Sequence, residues 1–442
     1  MEDLVVKPGF WKDKRVLVTG HTGFKGGWLC LWLQQMGVKV VGYSLDPPSS
    51  PSLFELAKVS EGMISLHGDV RDLPKLMVTM QEHRPEIVIH MAAQSLVRYS
   101  YANPVETYAT NVMGTVNVLE AVRHAGGTRA ALIVTSDKCY ENRERAQGYR
   151  EDEPMGGYDP YSSSKGCAEL VTAAYRNSYF KEPLDEHPKK DVPSPFMGGE
   201  AETGKGPVDL FPAERERGLS AHPGQKRKDG GELHQGFEPS HPHPNPPPSR
   251  GRELNQGFLN KSGAPQRTVA IASARAGNVI GGGDWAEDRL VPDIVRAFMQ
   301  RQPVTIRCPD AVRPWQFVLE PLRGYLQLIE LLWEQRSRYA EAWNFGPDEA
   351  DAKPVSWIAD HLVTLWGEGA RWTRDGSVQP HEAAYLKLDC AKAKTRLDWH
   401  PKLSLGPALE WTVAWYKAHQ EKADMRRFTL EQISRYQKMV NG

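Results

Sequence analysis

The chain lacks a dominant charge: its 442 residues carry 55 Lys+Arg against 55 Asp+Glu. That balance removes the broad basic field expected of a nucleic-acid binder. Cysteine is scarce as well. Cys30, Cys139, Cys167, Cys308 and Cys390 lie far apart, with no C-x-x-C pair and no zinc spacing, so neither a disulfide framework nor a metal site is expected. No apolar run approaches the ~18–20 residues of a membrane span. The first 15 residues have no apolar stretch that reads as a secretion signal. The expectation is a cytoplasmic protein that binds neither nucleic acid nor membrane.

One region lacks much more. Between Lys181 and Ala264 there is no Trp, no Tyr and no Cys, although the chain has 13 Trp and 15 Tyr. The same 84 residues hold 13 Pro, 12 Gly and only 13 Val, Ile, Leu, Met or Phe, too few to bury a core. Glu232-Leu233-His234-Gln235-Gly236-Phe237 recurs with one change as Glu253-Leu254-Asn255-Gln256-Gly257-Phe258. Residues 181–264 are therefore expected to be a long disordered insertion, a surface excursion tolerated because loop entropy grows slowly with length. A segment that folds on binding a partner is the alternative.

What remains alternates strands with helices. Arg15–Val18 is a β-rich run ending in a glycine turn, followed by a helical pattern at Trp28–Met36 and a second strand at Val38–Tyr43. Strands are expected again at Met63–Leu66, Ile87–His90, Ala131–Thr135 and Val269–Ala274, with helices at Leu73–His83 and Asn111–Ala125. This rhythm predicts an α/β fold of the Rossmann type, a doubly wound parallel sheet covered on both faces. Beyond residue 290 it predicts a smaller C-terminal α/β region, with helices at Pro292–Met299, Arg323–Trp333 and Pro407–His419.

Thr19-Gly20-His21-Thr22-Gly23-Phe24-Lys25-Gly26 is a TGxxGxxG turn between the first strand and its helix. Glycines let the backbone close on a pyrophosphate, and the helix behind them offers free N–H groups and partial positive charge. Gly20, Thr22, Gly23, Phe24, Lys25 and Gly26 are thus candidate cofactor contacts. Asp46, the nearest acid after the second strand, would favour NAD over NADP, because a 2′-phosphate would meet its charge; a plain turn residue before Pro47 is its bland reading. Asp69 and Val70, after the third strand, stand where an adenine contact belongs, or are simply an exposed loop.

Tyr161 and Lys165 form a Tyr-x-x-x-Lys pair on one helix face, where the ammonium favours phenolate and equips the tyrosine as a general base. Alone, such a pair is common. Here it follows Ser136, at the end of a predicted strand, where open α/β sheets bind ligands.

These motifs resemble the extended short-chain dehydrogenases/reductases. With Ser136-Asp137-Lys138-Cys139-Tyr140, the run Ala276 to Trp285 and Arg313-Pro314-Trp315-Gln316, the chain is similar more narrowly to the CDP-glucose group of the nucleotide-sugar 4,6-dehydratases, over roughly residues 8–180 and 266–418. The resemblance implies NAD as a recycled cofactor, a nucleotide-sugar substrate (CDP-glucose), a homodimer, and a place in deoxysugar and surface polysaccharide biosynthesis, lipopolysaccharide included. It implies that Tyr161 takes the 4-hydroxyl proton, that Ser136 partners the 4-oxygen, that Asp137 is the acid for the departing 6-hydroxyl, and that Lys165 holds the nicotinamide ribose. Lys138 stands where related dehydratases have a Glu as C5 base. Either neutral Lys138 serves as that base, or it steadies the enolate while a water takes the proton. Ala92, Ala93 and Asn111 are implied on the cofactor side, with a helix cap as the alternative for Asn111. Asn278, Asp284, Trp285 and Arg313 are implied on the substrate side; Trp285 would stack on the base or fill core. Epimerases share the turn and the Tyr/Lys pair without needing an acid beside Ser136. An epimerase, a dehydratase for another nucleotide sugar, and an inactive dinucleotide-binding relative are the rival readings.

The expected parts are then residues 8–180 for NAD binding, 181–264 for the insertion, 265–289 for the return to the sheet with a substrate loop, 290–420 mainly for the nucleotide sugar, and 421–442 as a tail.

Overall fold

Hydrophobic side chains alternate along every central strand, and the alternation sorts them into two cores. Val16, Val18, Ile87, Ile89 and Leu132 enter one; Leu17, Val88, Ala131 and Ile133 enter the other. Such period-2 sorting requires a sheet covered on both faces. The computed structural model describes residues 6–180, 269–367, 369–377 and 385–441. These belong to one folded unit that runs to 182 and resumes at 267. The insertion expected at 181–264 lies outside the described residues.

The sheet has seven strands: β1 (Arg15–Thr19), β2 (Lys39–Ser44), β3 (Ile64–His67), β4 (Ile87–His90), β5 (Ala130–Val134), β6 (Ala270–Ala276) and β7 (Ala342–Phe345). Their order is β7-β6-β5-β4-β1-β2-β3, and every pairing is parallel. The winding reverses between β1 and β4, whose register sets Thr19 opposite His90. In a doubly wound sheet the ligand crevice opens at that switch point, beyond the carboxyl ends of the strands.

On the first face lie α1 (Phe24–Gln35), α6 (Leu319–Gln335), α8 (Leu405–Gln420) and α9 (Met425–Asn441); on the second lie α2 (Leu73–His83) and α3 (Gly114–His124), with α4 (Pro160–Tyr179) completing that layer. The remaining long helices are α5 (Leu290–Met299) and α7 (Val355–Trp366). Six tryptophans, Trp11, Trp28, Trp32, Trp343, Trp399 and Trp415, are fully buried, all in the first core.

Two expectations change. Residues 421–442, read as a tail, contain α9, which packs on α1 and α8 through Met425, Thr429, Ile433 and Tyr436. Helix α1 is apolar on every side and needs this second cover. Asn111 does not head a helix: helical backbone begins at Pro104 and runs to His124, and Asn111 sits within it on a π turn at Ala109–Met113. Pro104 in the first turn sets that start, since its missing N–H has no partner to lose there.

Candidate active site

The glycine turn is held from both sides. Thr19 Oγ1 accepts the backbone N–H groups of Met91 (3.1 Å) and Ala92 (3.2 Å), tying β1 to the end of β4. Gly20 has φ +76, and a Cβ there would stand 2.7 Å from Ala92 N. A Cβ on Gly26 would stand 2.1 Å from Gly20 O, so the helix enters the turn as closely as backbone permits. Thr22 Oγ1 bonds Ser44 Oγ (2.8 Å) and donates to Leu45 O (3.0 Å), fixing the turn to the end of β2. Gly23 caps α1 in extended conformation, and its ideal Cβ meets nothing nearer than 3.4 Å. Space in front of Gly23 and a helix N-terminus behind it fit a dinucleotide pyrophosphate. Phe24 packs toward Gly281, across the turn from the cleft.

The outer contacts follow. Asp46 is exposed at the end of β2, its Oδ1 3.2 Å from His67 Nδ1. Asp69 grips Arg71 through both oxygens, which holds its carboxyl below the ordinary range. Val70 is buried; its carbonyl accepts from Asn117 Nδ2 at 2.9 Å. Ala92 and Ala93 follow β4, half-buried at the rim of the crevice.

Asn111 is a strut. Its Oδ1 accepts from Gln94 N (2.9 Å), and its Nδ2 donates to Gln94 O (2.9 Å) and to Ser164 Oγ (2.8 Å). Ser164 lies between Tyr161 and Lys165 on α4, so Asn111 ties that helix to the loop after β4. Continuing from it, Asn111 O accepts from Thr115 Oγ1, which lies 3.3 Å from His90 Nε2, while His90 Nδ1 lies 2.7 Å from Thr19 Oγ1. Burial, with Lys165 adding to it, lowers His90 to about 3, so its ring is neutral and serves as a polar spacer.

At the end of β5 the chain turns through a short 3-10 helix, Asp137–Cys139, capped by Ser136. Ser136 Oγ donates to Asp137 Oδ1 at 2.9 Å. Asp137 Oδ2 is buried without a hydrogen-bond partner, and a Cβ on Gly277 would stand 2.7 Å from it. Burial raises the Asp137 carboxyl, against the pull of Lys138, Ser136 and Arg313. Burial pushes Tyr161 up to about 12, opposed by Ser136 and by Arg289. Lys165 falls to about 8 through burial, with Glu169 one turn on supporting its charge. Lys25 also falls to about 8, through burial first and then the neighbouring Lys165 and Arg289. The turn's lysine thus reaches the same spot as the helix lysine.

This is acid–base equipment: a hydroxyl, a carboxyl held toward its protonated form, a phenol and ammonium groups that shed protons easily, gathered at a strand end. Lys138 is half-buried beside Asp137. Arg313 is buried, donates to Val312 O (3.0 Å) and acts electrostatically on Asp137. Asp284 is buried and pairs with Arg289 at 2.9 Å. Asn278 lends its carbonyl to Gln316 N (3.0 Å). Trp285 is set back from the rest, its ring enclosed edge-on by Tyr416 (5.1 Å) and His419 (5.4 Å), which is the core-filling alternative.

Three residues escaped the sequence reading. Arg289 bridges Asp284 to Ser95 Oγ (2.7 Å) and acts on both Tyr161 and Lys25. Tyr325 of α6 lies beneath Lys25 (5.9 Å to its ring), its hydroxyl buried without a partner. His90 completes the strut. None sits in a motif; only the fold brings them near the turn.

A family model described as GDP-mannose 4,6 dehydratase matches residues 17–182. The chain is 46% identical to CDP-glucose 4,6-dehydratase of Salmonella typhimurium, over 98% of both chains. It is 32% identical to dTDP-glucose 4,6-dehydratase of Xanthomonas campestris pv. campestris over 37% of this chain and 49% of that one. Among solved structures, dTDP-glucose 4,6-dehydratase of Streptomyces venezuelae with NAD bound superposes with a TM-score of 0.64 at 18% identity, covering 93% of this chain and 99% of that one. UDP-glucose-4-epimerase of Stenotrophomonas maltophila gives 0.64 at 18% identity, covering 93% and 100%. Those two likenesses establish the shared fold. Near-complete coverage at 46% identity goes further: the chain belongs to the CDP-glucose 4,6-dehydratase family of the extended short-chain dehydrogenases/reductases.

Proposed function

We propose that the chain converts CDP-glucose to CDP-4-keto-6-deoxyglucose in an NAD-dependent, redox-neutral dehydration. One observation carries the reading: Asp137, a buried carboxyl with an unpartnered oxygen, accepts from the Ser136 hydroxyl and lies close enough for its charge to act on the Tyr161 phenol. Oxidation at C4 alone needs the phenol and its lysine; elimination of a hydroxyl also needs an acid, and an epimerase has no use for one there.

Gly20, Thr22, Gly23, Phe24, Lys25 and Gly26 would hold the pyrophosphate of NAD, with Asp46 at the ribose, Asp69 and Val70 at adenine, and Ala92, Ala93 and Asn111 along the nicotinamide side. When bound, that cofactor accepts hydride from C4 and later supplies it to C6. Tyr161 takes the proton of the 4-hydroxyl, with Lys165 and Arg289 favouring its anionic form. Ser136 holds the 4-oxygen. The 4-ketone acidifies the C5 proton, which Lys138, or a water beside it, removes. Asp137 protonates the 6-hydroxyl as it leaves. Arg313 offers a guanidinium fork for the nucleotide diphosphate, and Asn278 and Asp284 shape that end of the cleft.

The decisive experiment incubates the protein with CDP-glucose and a trace of NAD. A 4-keto sugar, detected by its absorbance in alkali, is expected with no accumulation of NADH. Accumulating NADH would mark a net dehydrogenase, and faster reaction of UDP-, GDP- or dTDP-sugars would move the substrate assignment.

A homodimer is part of the proposal, supported by apolar side chains left exposed on neighbouring helices: Val105, Met113, Leu170 and Tyr179. Leu170→Glu with Met113→Glu should yield monomer in sedimentation. No helix among the described residues is long and apolar enough to cross a membrane, in keeping with a cytoplasmic enzyme feeding deoxysugar and surface polysaccharide assembly.

A further inference from the structure

The dehydration draws on two separate elements. Oxidation at C4 uses Tyr161 and Lys165 on α4, whereas loss of the C5 proton and of the 6-hydroxyl uses Lys138 and Asp137 on the short turn after β5. Each element needs its own mount, because a displacement of about 1 Å costs on the order of 10²-fold in rate. Helix α4 has one. Asp159 caps it through Ser162 N (2.9 Å), Ser100 Oγ accepts from Tyr161 N (3.1 Å), and Asn111 Nδ2 donates to Ser164 Oγ (2.8 Å). The turn is mounted elsewhere.

We infer that Asn344, near the carboxyl end of β7, is the positioning residue for that turn, holding Asp137 and Lys138 in place for the elimination; the inference rests on the dehydration proposed above. Asn344 is fully buried, and both polar atoms of its side chain are engaged. Its Oδ1 accepts from Tyr140 Oη at 2.7 Å, and its Nδ2 donates to Tyr149 O (2.8 Å) and Asp389 O (3.1 Å). Its backbone N–H donates to Glu151 Oε1 at 2.9 Å. Tyr140 closes the 3-10 turn that carries Asp137 and Lys138, and its ring stacks on Tyr149 at 5.2 Å.

The turn and the loop beside it hang from this one amide. Gly156 N donates to Cys139 O (2.8 Å) and Glu141 N to Pro154 O (3.0 Å), so the end of the turn pairs with residues 154–156. The same loop is held by Asn344 further back, at the Tyr149 carbonyl and the Glu151 carboxylate. Cys139, Tyr140, Tyr149 and Leu386 form a small core of their own, apart from the two that flank the sheet. The bonds have one polarity. Arg275 Nη1 donates to Tyr140 Oη at 2.6 Å, and a guanidinium can only donate. The phenol therefore gives its own proton to Asn344 Oδ1, which commits Nδ2 to the two carbonyls. Arg275 steadies the hydroxyl, but the tie to β7 is the Tyr140–Asn344 bond. From the other side α4 presses on the turn. A Cβ on Gly166, the residue after Lys165, would stand 2.7 Å from Gly156 O and 3.1 Å from Cys139 O. The turn is thus gripped at two points, its backbone by α4 and its Tyr140 side chain by β7; with the second grip cut, it can pivot on the first.

The test is Tyr140→Phe, which deletes one oxygen, keeps the ring on Tyr149 and cuts the tie. Loaded with NAD and mixed rapidly with CDP-glucose, the variant should form NADH at the wild-type rate and then hold it. The 4-keto-6-deoxy sugar should appear more slowly, by about 10- to 100-fold. With substrate deuterated at C5 the isotope effect on kcat should grow, and with substrate deuterated at C4 it should fall toward one. NAD affinity should be unchanged. Asn344→Ala should show the same split, and the double variant should be no slower than Asn344→Ala alone, since both changes cut one bond; if Asn344→Ala does not fold, Tyr140→Phe decides by itself. Equal slowing of NADH formation and of elimination would make Asn344 a plain brace and overturn the assignment, as would wild-type kcat in either variant. Failure of wild type to form any 4-keto sugar would instead overturn the function itself.

Discussion

Adjacent residues at the end of β5 feed two buried polar clusters with opposite fates. Thr135 points into one that is nearly saturated: Glu169 accepts from Thr135, from Ser273 Oγ (2.7 Å) and from Arg275 (2.8 Å). Arg275 also reaches Tyr140 Oη (2.6 Å) and Glu151 O (3.2 Å), leaving only its Nε without a partner. Ser136 points into the other, where Asp137 Oδ2 and the Tyr325 hydroxyl have no partner. Helix α4 is divided in the same way, with Lys165 in the second cluster and Glu169, one turn later, in the first. The pKa shifts follow: Glu169 is held below its ordinary value, Asp137 above it. A buried charge that is fully paired braces the structure; one left short of partners is ready to exchange protons.

The sharpest way to separate the clusters is to disable each in turn. Asp137→Asn should reduce kcat by about 10²–10⁴-fold while leaving the melting temperature unchanged or higher. Arg275→Met should do the reverse, costing about 3–5 kcal/mol in urea denaturation because Glu169 is left buried without its cation. The pH slopes should also oppose each other. Glu169 binds its proton more weakly in the native state, so its stabilisation is complete above its ordinary value of 4.5 and is lost as pH falls below it. Asp137 binds its proton more tightly in the native state, so it lowers stability as pH rises above 3.8. Comparing urea midpoints of the two variants and wild type across acidic pH checks both signs.

A smaller effect is expected at Lys138→Met. NAD affinity should be unchanged, while incorporation of solvent deuterium at C5 falls by about tenfold or more. Wild-type turnover in that variant would remove Lys138 from the reaction. Smallest of all should be deletion of 181–264 with a short Gly/Ser linker. Both α4 and β6 supply the two clusters, so unchanged kcat/KM and melting temperature would show that neither cluster depends on the segment; loss of activity in a folded protein would give it a role.

Much of the site was legible because its signals are local. TGxxGxxG directly after a β-rich run, and Tyr161 four residues before Lys165, are one-turn patterns that need no distant partner. Asn111 was read at a helix head because Pro104, seven residues earlier, was not read as the helix start. Helix α9 went unread because its pattern makes sense only against an α1 that is apolar all round. Trp285 could not be assigned until Tyr416 and His419 were found enclosing it. Arg289 and Tyr325 carry no motif at all.

The sequence by itself determined the dinucleotide turn, the doubly wound alternation, the Ser136–Asp137–Lys138 run and the Tyr/Lys spacing, because backbone sterics and helical periodicity act over a few residues. Tertiary structure alone decided which buried polar groups found partners. Glu169 meets Arg275 across 106 positions of sequence, and Asp137 meets Gly277, where a partner is missing, across a similar span. Desolvation depends on everything packed around a group, and that sum is written only in the folded chain.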